Sequence, residues 1–477
     1  MANSPTLTPV TSPWMHDLMR ENHLLYELLE KHGSPINIHY MDAMDQNFLS
    51  FQQVFEEVGI KYKMFFARKA NKTKAAVSKA SELGMGIDTA SYQEYIQCIE
   101  MGINPSDLII TAAVKTRELV EKAVLNGSVL LIDNEDECDL VQEMAVKVNR
   151  EAKIGFRLSG FFFKERKLNS RFGFDLLEID RFVTKNFLQS KKYSQLLYKG
   201  LHFHLNGYST EERAYALAQT LAFAQLLAKK GLRTEFIDIG GGFLVNYLQD
   251  KIEWDYFNLS LRKAISGIIP PITYNNDGLG LELYGGILHG ELKTYPFWNT
   301  QPKESFLRQI LSHKNQKQQT LAEVAAQEEI EIRMEPGRSM LDQTGLTLAR
   351  VAFRKRDSIG DWLVGLEMNM TQMLSGSADF LLDPYVLYQR KEEGEPVEVF
   401  FTGAYCLERD ILLKRKIRLP KLPHIGDMVV FVNTAGYMMH FFESSAHLFP
   451  LATNLIWNRE TKNNGIEIAH FQNDEDL

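Results

Sequence analysis

The sequence predicts an α/β protein in which a (β/α)8 barrel is followed by a C-terminal domain made mostly of β-strands. From residue 36 onwards, short apolar segments alternate with amphipathic helical segments, the pattern of a parallel sheet that is buried on both faces. About eight such units in roughly 300 residues favour a closed barrel over an open sheet. After residue 340 strand-like segments follow one another with few helices between them, which predicts a second, β-rich domain.

Each barrel unit begins with an apolar strand and continues into a segment of helical periodicity. The predicted strands are KYKMFFARKA, MGIDTA, DLIITAA, VLLID, KIGFRLS, GLHFHLN, TEFIDIGGGF and the segment that ends in IRMEPGR. The predicted helices include QNFLSFQQVFEEVG, KTKAAVSKASELG, SYQEYIQCIEMG, TRELVEKAVLNG, EDECDLVQEMAVKVN and ERAYALAQTLAFAQLLAKKG. The β-rich domain contributes LTLARVAFRKR, DWLVGLEMNM, PVEVFFTGAYC, DMVVFVNTAGY and NGIEIAHFQ.

The domain organisation follows from where these patterns change. We expect an N-terminal extension and helix at residues 1–34, the barrel at residues 35–340 with a long insertion around residues 250–325, and the β-rich domain at residues 341–477. The strand PINIHY, near residues 36–40, is expected to join the C-terminal domain. The Ser-, Thr- and Pro-rich residues 1–13 are expected to be frayed, and the helix after them to end at Gly33.

Composition narrows the class of protein. The chain has 477 residues, 45% of them hydrophobic and 24% charged, as in ordinary globular enzymes. Its net charge of −8 argues against a nucleic-acid partner or an anionic membrane. Three cysteines, Cys98, Cys138 and Cys406, do not form a disulfide framework. The sequence shows neither a signal peptide nor an apolar run that could span a bilayer, so we expect a cytoplasmic protein.

Two cations stand where the first barrel strand ends, in the segment MFFARKANKT. Arg68 and Lys69 could simply meet water beyond the strand. Alternatively, Lys69 could lie at the mouth of the barrel and take part in chemistry there. The segment alone leaves both interpretations open.

Two glycine-containing turns follow the last two predicted barrel strands. Gly240, Gly241 and Gly242 let the backbone approach a ligand closely, and their N–H groups could hold a phosphate. A tight turn explains them equally well, and a dinucleotide fingerprint does not fit, because its third glycine would fall on Val245. The second turn is Glu335-Pro-Gly-Arg338, which could be a solvated loop with an ion pair or, in a barrel, part of a phosphate site.

Three further residues stand at strand ends or in turns, each with a structural alternative. His204 follows a strand, and a histidine there is more often structural than catalytic. Cys406 lies in a turn beside Glu408 and Asp410, although most free cysteines are inert core residues. Tyr437 follows an apolar strand, where a buried tyrosine is the simple alternative.

Taken in order, the motifs resemble one family. They are FARKAN, an Asp-x-Ala-Ser turn with a later Glu (Asp88, Ala90, Ser91, Glu94), RFG, H-x-H, DIGGGF, EPGR, G-x-x-C-x-x-x-D and AGY. This series is similar to that of the fold-type III pyridoxal-phosphate decarboxylases, the group of diaminopimelate and ornithine decarboxylases, over roughly residues 35 to 450. The resemblance implies the barrel of the alanine racemases and a bound pyridoxal 5′-phosphate, and no metal ion is expected.

The resemblance assigns Lys69 as the residue that carries the cofactor as a Schiff base. A cation beside this amine would help it to lose its proton. Glu335 would face the nitrogen of the cofactor ring, and His204 would stack on the ring face. The remaining cofactor contacts that the resemblance implies are Asp88, Glu94 and Arg157 around the lysine, and Gly240, Gly241, Gly242, Gly337, Arg338 and Tyr437 around the phosphate.

The resemblance also implies a homodimer. Cys406 matches the residue that protonates the carbanion after carbon dioxide leaves, and in relatives it reaches into the partner's barrel. The implied reaction removes the α-carboxylate of an amino acid by way of an external aldimine and a quinonoid-type carbanion.

The substrate end departs from the family pattern. Leu407 stands where relatives carry an acid for the substrate's distal amine, which leaves Glu408 and Asp410 as the nearest acids. The segment MTQMLSGSADFLLDPYVLY lacks the arginine of diaminopimelate decarboxylases, and Asn206-Gly207 replaces the usual Gly-Ser. These differences argue against ornithine and diaminopimelate. They favour another amino acid or a larger conjugate, such as a siderophore precursor.

Two alternatives remain at this stage. Alanine racemases share the fold but use an arginine at the ring nitrogen, whereas Glu335 favours decarboxylation. A non-catalytic regulator is the second alternative, and the retained Lys69, His204, Arg338, Cys406 and Tyr437 count against it.

Overall fold

Eight parallel strands close into a barrel in the computed structural model, which describes residues 4–375, 378–461 and 467–477. In chain order, the first to eighth barrel strands are Tyr62–Ala67, Gly86–Thr89, Leu108–Ile110, Val129–Ile132, Ala152–Ser159, Leu196–His202, Phe236–Asp238 and Glu331–Met334. The first strand pairs with the second through Phe65 and Gly86 and with the eighth through Tyr62 and Ile332, which closes the ring. The predicted (β/α)8 fold is confirmed.

Polar caps turn the chain from several strands into the helices that follow. The side chains of Thr73, Ser91, Thr116, Asn134 and Ser209 each accept a hydrogen bond from the backbone N–H three residues later. Such a cap satisfies one of the free N–H groups of a first helical turn. Because all the strands run in parallel, these capped turns gather at one end of the barrel, where functional side chains can meet.

The barrel is surrounded by a layer of helices. The helices of the chain are Pro13–Arg20, Asn22–His32, Ala43–Val58, Lys74–Glu82, Tyr92–Glu100, Arg117–Asn126, Glu135–Val148, Ile179–Val183, Thr210–Lys229, Lys251–Ile265, Lys303–Leu311 and Leu321–Gln327. Among the helices of the described residues, none is both long and apolar enough to cross a lipid bilayer. Lys303–Leu311 packs between Thr210–Lys229 and Ala43–Val58, so Ala43–Val58, although it precedes the first barrel strand, completes the layer next to the eighth.

The second sheet is mixed and contains nine strands among the described residues. They are Ile36–His39, Gly345–Arg356, Trp362–Leu366, Tyr385–Leu387, Val397–Thr402, Ile417–Leu419, Met428–Val432, Thr453–Thr461 and Glu467–Asn473. Ile36–His39 pairs antiparallel with Gly345–Arg356 and parallel with Thr453–Thr461, so an N-terminal strand lies inside a sheet of C-terminal strands. Of the predicted segment NGIEIAHFQ, residues 464–466 lie outside the described part, as do residues 376–377 of MTQMLSGSADFLLDPYVLY.

The expectation of a frayed N-terminus is wrong for the described residues 4–13. Leu7 is fully buried, and its N–H donates to the Asp383 carboxylate at 3.0 Å. The N–H of Val10 donates to the Tyr247 carbonyl at 2.8 Å. Composition pointed to a free end, but tertiary contacts of these apolar residues hold the segment on the molecule.

Residues between the seventh and eighth strands, which the sequence left unorganised, form three helices and a hairpin. The hairpin pairs Leu281–Tyr284 with Ile287–Gly290. Tyr295 anchors the segment because it is 2% exposed and its hydroxyl accepts a hydrogen bond from the N–H of Val245 at 2.7 Å. Part of this insertion therefore lies directly behind the seventh-strand glycines, while the predicted polar helix LAEVAAQEEIE is present as Leu321–Gln327.

A buried pair of histidines joins the barrel to the second sheet. His39 and His440 both contact the Asn454 side-chain oxygen through Nε2, at 3.2 and 2.7 Å. His440 Nδ1 accepts a hydrogen bond from the N–H of Lys72, in the loop that follows Lys69. Since Nδ1 accepts, His440 is neutral, and burial together with the charge of His39 holds its pKa well below 6.5.

Acidification should therefore destabilise the protein. Below pH 6.5, His440 binds a proton in the unfolded chain but stays neutral in the folded chain. The free energy of unfolding therefore decreases as the pH falls towards the depressed pKa of the folded protein. Each such histidine changes the free energy of unfolding by up to about 1.4 kcal/mol per pH unit. His440→Gln, which can still accept from Lys72 and donate to Asn454, should flatten this dependence in urea unfolding between pH 5 and 7.5.

His23→Gln is the matched control, because the His23 side chain is 89% exposed. It should leave the pH dependence of the free energy of unfolding unchanged. An equal slope in wild type and His440→Gln would contradict the assignment of a neutral His440.

Candidate active site

A cavity of about 660 Å³ opens at the carboxyl ends of the barrel strands. It is lined by several of the sequence-predicted residues: Lys69, Arg157, His204, Gly242, Gly337, Arg338 and Tyr437. Asp88 and Glu335 lie next to them, buried at 0% and 2% exposure. The barrel thus brings together side chains from distant parts of the chain, and their proximity supports one shared site.

Lys69 sits in a short 3-10 turn directly after the first strand. Its amine lies 2.9 Å from an Asp88 oxygen. Burial works to lower the pKa of Lys69, but the negative charges of Asp88 and Glu335 outweigh it and raise that pKa above the usual lysine value. The expectation that a neighbouring cation lowers this pKa is therefore wrong.

The reason is that Arg68 points away from the cavity. Its guanidinium donates to the carbonyls of Asn71 at 2.5 Å, Lys72 at 2.6 Å and Thr73 at 3.0 Å. These bonds fold the loop after Lys69 around a buried cation. Arg68 shapes the loop that carries the lysine and does not act on its amine.

Two acids near Lys69 have different surroundings. Asp88 accepts from Lys69 with one oxygen and from the Thr111 hydroxyl with the other. Glu94 uses one oxygen to accept the N–H of Ala90 at 2.6 Å, which fastens the turn after the second strand. Burial raises the pKa of Glu94. Asp88 therefore holds the amine directly, whereas the hydrogen bond of Glu94 goes to the backbone.

Glu335 lies beside two histidines from the sixth strand and its end. Its Oε1 is 3.1 Å from His202 Nε2, and its Oε2 is 3.9 Å from His204 Nδ1. Burial works to raise the pKa of Glu335, but His202 outweighs it and holds the pKa well below its usual range. The contact between Oε1 and His202 Nε2 is close but is not aligned as a hydrogen bond.

His204 is a neutral imidazole. Its Nδ1 accepts the N–H of Gly241 at 3.2 Å, and burial lowers its pKa to about 4. About a third of the side chain is exposed in the cavity. An uncharged, partly open ring of this kind can stack against a flat aromatic ligand.

His202 is a site residue that the sequence analysis did not single out. It is 1% exposed, and its polar atoms lie within 4.8 Å of those of Asp238 and Glu335. The available signal was the H-x-H spacing, because alternate residues of a strand point to one side. Three such groups could hold a cation, so the expected absence of a metal stays a prediction.

The glycine turn is shaped by what surrounds it. Gly240 and Gly242 have φ of 70° and 82°, where other residues are strained. A Cβ on Gly240 would lie 2.7 Å from His204 Nδ1, and one on Gly242 would lie 2.5 Å from the Arg213 guanidinium. A Cβ on Gly241 would overlap the Glu335 carbonyl oxygen. The turn therefore leaves a bare backbone against the cavity, which suits an anion.

Arg338 and Tyr437 lie beside this turn. Arg338 donates to the Gly436 carbonyl at 3.2 Å, and its guanidinium stacks 4.5 Å from the Tyr295 ring. A Cβ on Gly337 would lie 2.6 Å from the Tyr437 hydroxyl, so only glycine fits beneath it. The Tyr437 N–H donates to the Ala70 carbonyl at 2.8 Å, which ties this tyrosine to the Lys69 turn.

Arg157 and the RFG motif form another wall of the cavity. The Phe172 ring lies between two guanidiniums, 4.2 Å from that of Arg157 and 3.9 Å from that of Arg171. Cation–π contacts of this kind fix the ring and both charges in place. Arg157 is therefore at the cavity, as expected, where its guanidinium lies over the Phe172 ring and 3.9 Å from an Asp133 oxygen.

The cysteine turn lies apart from the cavity of its own chain. Cys406 and Glu408 are exposed, and neither lines the cavity that contains Lys69. Asp410 is 3% exposed and accepts the N–H groups of Met370 and Tyr405, both at 2.7 Å. Its two oxygens are engaged in shaping the turn, so the expectation that Asp410 binds substrate does not fit the structure.

Comparison with known proteins points to the same family that the sequence motifs resemble. Residues 41–276 match the family model described as pyridoxal-dependent decarboxylase, pyridoxal binding domain. An uncharacterized protein, y4yA, of Sinorhizobium fredii is 26% identical over 93% of this chain and 92% of its own. A diaminopimelate decarboxylase of Halalkalibacterium halodurans is 22% identical over 87% of this chain and 84% of its own.

Solved structures share the architecture. The lysine/ornithine decarboxylase of Vibrio vulnificus, complexed with putrescine, superposes with a TM-score of 0.65 at 18% identity. The superposition covers 94% of this chain and 99% of that one. This likeness shows the fold, a barrel with a C-terminal sheet domain.

The contact between Lys69 and Asp88 predicts how the amine reacts. With the cavity empty, Asp88→Asn should lower the pKa of Lys69 and raise its rate of trace acetylation at pH 9, by about tenfold for each pKa unit. Mass spectrometry of the labelled peptides, with the exposed Lys31 as internal reference, measures this rate. A wild-type Lys69 that reacts as fast as Lys31, with no change in Asp88→Asn, would show that the carboxylate does not control the amine.

Proposed function

The chain belongs to the fold-type III pyridoxal-phosphate-dependent decarboxylases, and we propose that it removes the α-carboxylate of an amino acid whose distal group is not an amine. It is a carboxy-lyase, and its cofactor is pyridoxal 5′-phosphate. The substrate, the residue roles and the assembly are our proposals. The observation that carries them is the buried, ionised carboxylate of Glu335, which lies beside His204 and acts on the charge of Lys69.

The residues present fit the cofactor. When bound, it supplies a sink for the electron pair that departing carbon dioxide leaves behind. Glu335 would be the residue that faces the ring nitrogen of the cofactor. Since the pKa of Glu335 is well below its usual range, its negative charge would favour a protonated ring nitrogen and so a stronger sink.

His204 and Lys69 hold the reacting end. The neutral His204 ring, whose orientation the Gly241 N–H fixes, would pack against one face of the cofactor. Lys69 would supply the amine that holds the cofactor's carbonyl carbon, and Asp88, 2.9 Å from that nitrogen, would hold a proton on it. The backbone of Gly240–Gly242, Arg338 and the Tyr437 hydroxyl would hold the phosphate.

A racemase is less well supported. Racemisation returns the proton to the α-carbon, and alanine racemases place an arginine rather than an acid at the ring nitrogen. Glu335 stands at this position, and no described arginine contacts its side chain. The acid therefore favours loss of the carboxylate.

The active enzyme is proposed to be a homodimer in which Cys406 works in the partner's cavity. Cys406 does not line the cavity of its own chain. The segment from 441 to 451 carries exposed apolar side chains: Phe441, Phe442, Leu448, Phe449 and Leu451, which are 45, 43, 93, 36 and 52% exposed. An exposed patch of this kind is typical of a subunit interface.

This segment connects the two ends of the proposed shared site. Phe441 lines the cavity, while Phe449 lies 5.9 Å from the ring of Tyr405, which precedes Cys406. A second copy that covers the segment would therefore contact both the cavity and the cysteine turn. Related by a two-fold axis, the two turns would then reach opposite cavities.

The cavity wall informs the choice of substrate. Its described lining contains five cations, Lys69, Arg157, Arg171, Arg213 and Arg338, and no carboxylate side chain. The turn that the partner would contribute has Leu407 at the family's acid position, so a buried substrate amine would lack an acid partner there too and would cost several kcal/mol in lost hydration. A neutral or anionic distal group fits this wall, as does a larger amino-acid conjugate such as a siderophore precursor.

A panel of carboxyl-labelled amino acids tests the reaction. Release of labelled carbon dioxide should depend on Lys69, and borohydride should fix pyridoxal phosphate to wild type but not to Lys69→Ala. Ornithine, lysine and diaminopimelate should be at least about 10³-fold poorer in kcat/KM than the best substrate. If one of the three is the best substrate, the argument from the missing acid is wrong.

Mixing two inactive variants tests the shared site. Lys69→Ala and Cys406→Ala should together recover up to about a quarter of wild-type activity, since half of the random dimers are mixed and each has one intact site. Subunit exchange is confirmed by native mass spectrometry, and Cys98→Ala, a change in a buried cysteine, serves as the control. Exchange without recovery would mean that each chain completes its own site.

A further inference from the structure

One buried cation of the cavity wall has not yet been assigned a ligand of its own. Arg213, in the first turns of helix Thr210–Lys229, is 1% exposed and lines the cavity. Its guanidinium reaches only main-chain carbonyls, those of Gly207 at 3.2 Å, Leu205 at 3.3 Å and Ile239 at 3.5 Å. Its Nε has no hydrogen-bond partner among the described residues.

No carboxylate neutralises this guanidinium within the described chain. The adjacent Glu212 turns outwards and pairs with Arg166. The rings nearest to Arg213 are those of Phe306 and Phe243, at 5.6 and 5.9 Å. Burying a charge against carbonyls and aromatic rings is costly unless a counter-ion joins it. The structure therefore contains a buried positive charge that an incoming anion would complete.

The position of the charge identifies the anion. Arg213 Nη2 lies 2.5 Å from the position that a Cβ on Gly242 would take, so the guanidinium lies directly against the third glycine. Gly242 and Arg338 border the same cavity. Two cations from different elements, the helix after the sixth strand and the turn after the eighth, thus line the cavity that Gly242 borders.

We propose that Arg213 is a second cation for the cofactor's phosphate and, with Arg338, makes the site selective for the phosphorylated cofactor. The inference rests on the proposed placement of the phosphate at Gly240–Gly242. A guanidinium can donate two N–H groups to one phosphate, and two guanidiniums match its double negative charge. Arg213 does not touch the reacting carbon, so its contribution is to affinity for the phosphate.

Binding to the cofactor-free protein tests this. Arg213→Met should weaken the binding of pyridoxal phosphate by about 10- to 100-fold, the usual effect of a lost charge-assisted hydrogen bond. The affinity for pyridoxal, which lacks the phosphate, should change less than about threefold. Inorganic phosphate, titrated by calorimetry, should bind wild type and not the variant. Arg213→Lys, which keeps the charge, should lie between the two.

A matched control is Arg333→Met. Arg333 also stacks on an aromatic ring, 3.8 Å from Phe236, but it lies on the eighth barrel strand and does not line the cavity. This variant should bind both forms of the cofactor as wild type does. If Arg213→Met does not fold, the ratio of the two affinities in Arg213→Lys decides, and an unchanged ratio overturns the proposal.

The outcomes distinguish a failure of the Arg213 proposal from a failure of the proposed phosphate placement. Equal losses of affinity for pyridoxal phosphate and pyridoxal would show that Arg213 only supports the packing of the site. No loss of affinity would show that Arg213 does not take part in binding. Either result overturns the proposal. If Arg338→Met alone removes the selectivity for phosphate, the phosphate placement stands and the role of Arg213 fails. If neither arginine affects the selectivity, the placement itself is wrong.

Discussion

The site depends on the buried carboxylate of Glu335. It is ionised at 2% exposure because His202 lies 3.1 Å away, and because the positive charge of Lys69 also favours its charged form. The same negative charge, with that of Asp88, raises the pKa of Lys69 and so favours its protonated amine. The protonation states of Glu335 and Lys69 are therefore coupled, because each charge shifts the pKa of the other group. A cofactor bound between the two side chains would contact both.

The barrel architecture brings these residues together directly. Parallel strands end at one rim, so residues from the first, second, sixth and eighth units meet without long excursions of the chain. The second sheet then fastens the lysine loop from outside, through His440 against Lys72 and Tyr437 against Ala70. The rigidity of the Lys69 loop thus comes from two domains, while its chemistry comes from the barrel.

Much of this could be predicted from the sequence, because strand and helix periods are local and glycine turns leave a clear pattern. The direction of the Lys69 pKa could not, since it depends on the negative charges of Asp88 and Glu335, which the barrel brings to the amine from distant parts of the chain. Arg213 was missed because a charged residue in a helix normally faces solvent. The use of Asp410 within its turn, and the packing of residues 4–13, are likewise tertiary contacts that no local pattern encodes.

The most direct test of the account is the carbon dioxide release of Glu335→Gln on the best substrate. The amide has the same shape but cannot hold a positive charge on the ring nitrogen, so kcat should fall by about 10² or more while KM and pyridoxal phosphate affinity change little. Glu335→Asp should recover part of the rate. A Glu335→Gln enzyme with kcat within about threefold of wild type would contradict the central claim that this buried charge drives the loss of the carboxylate.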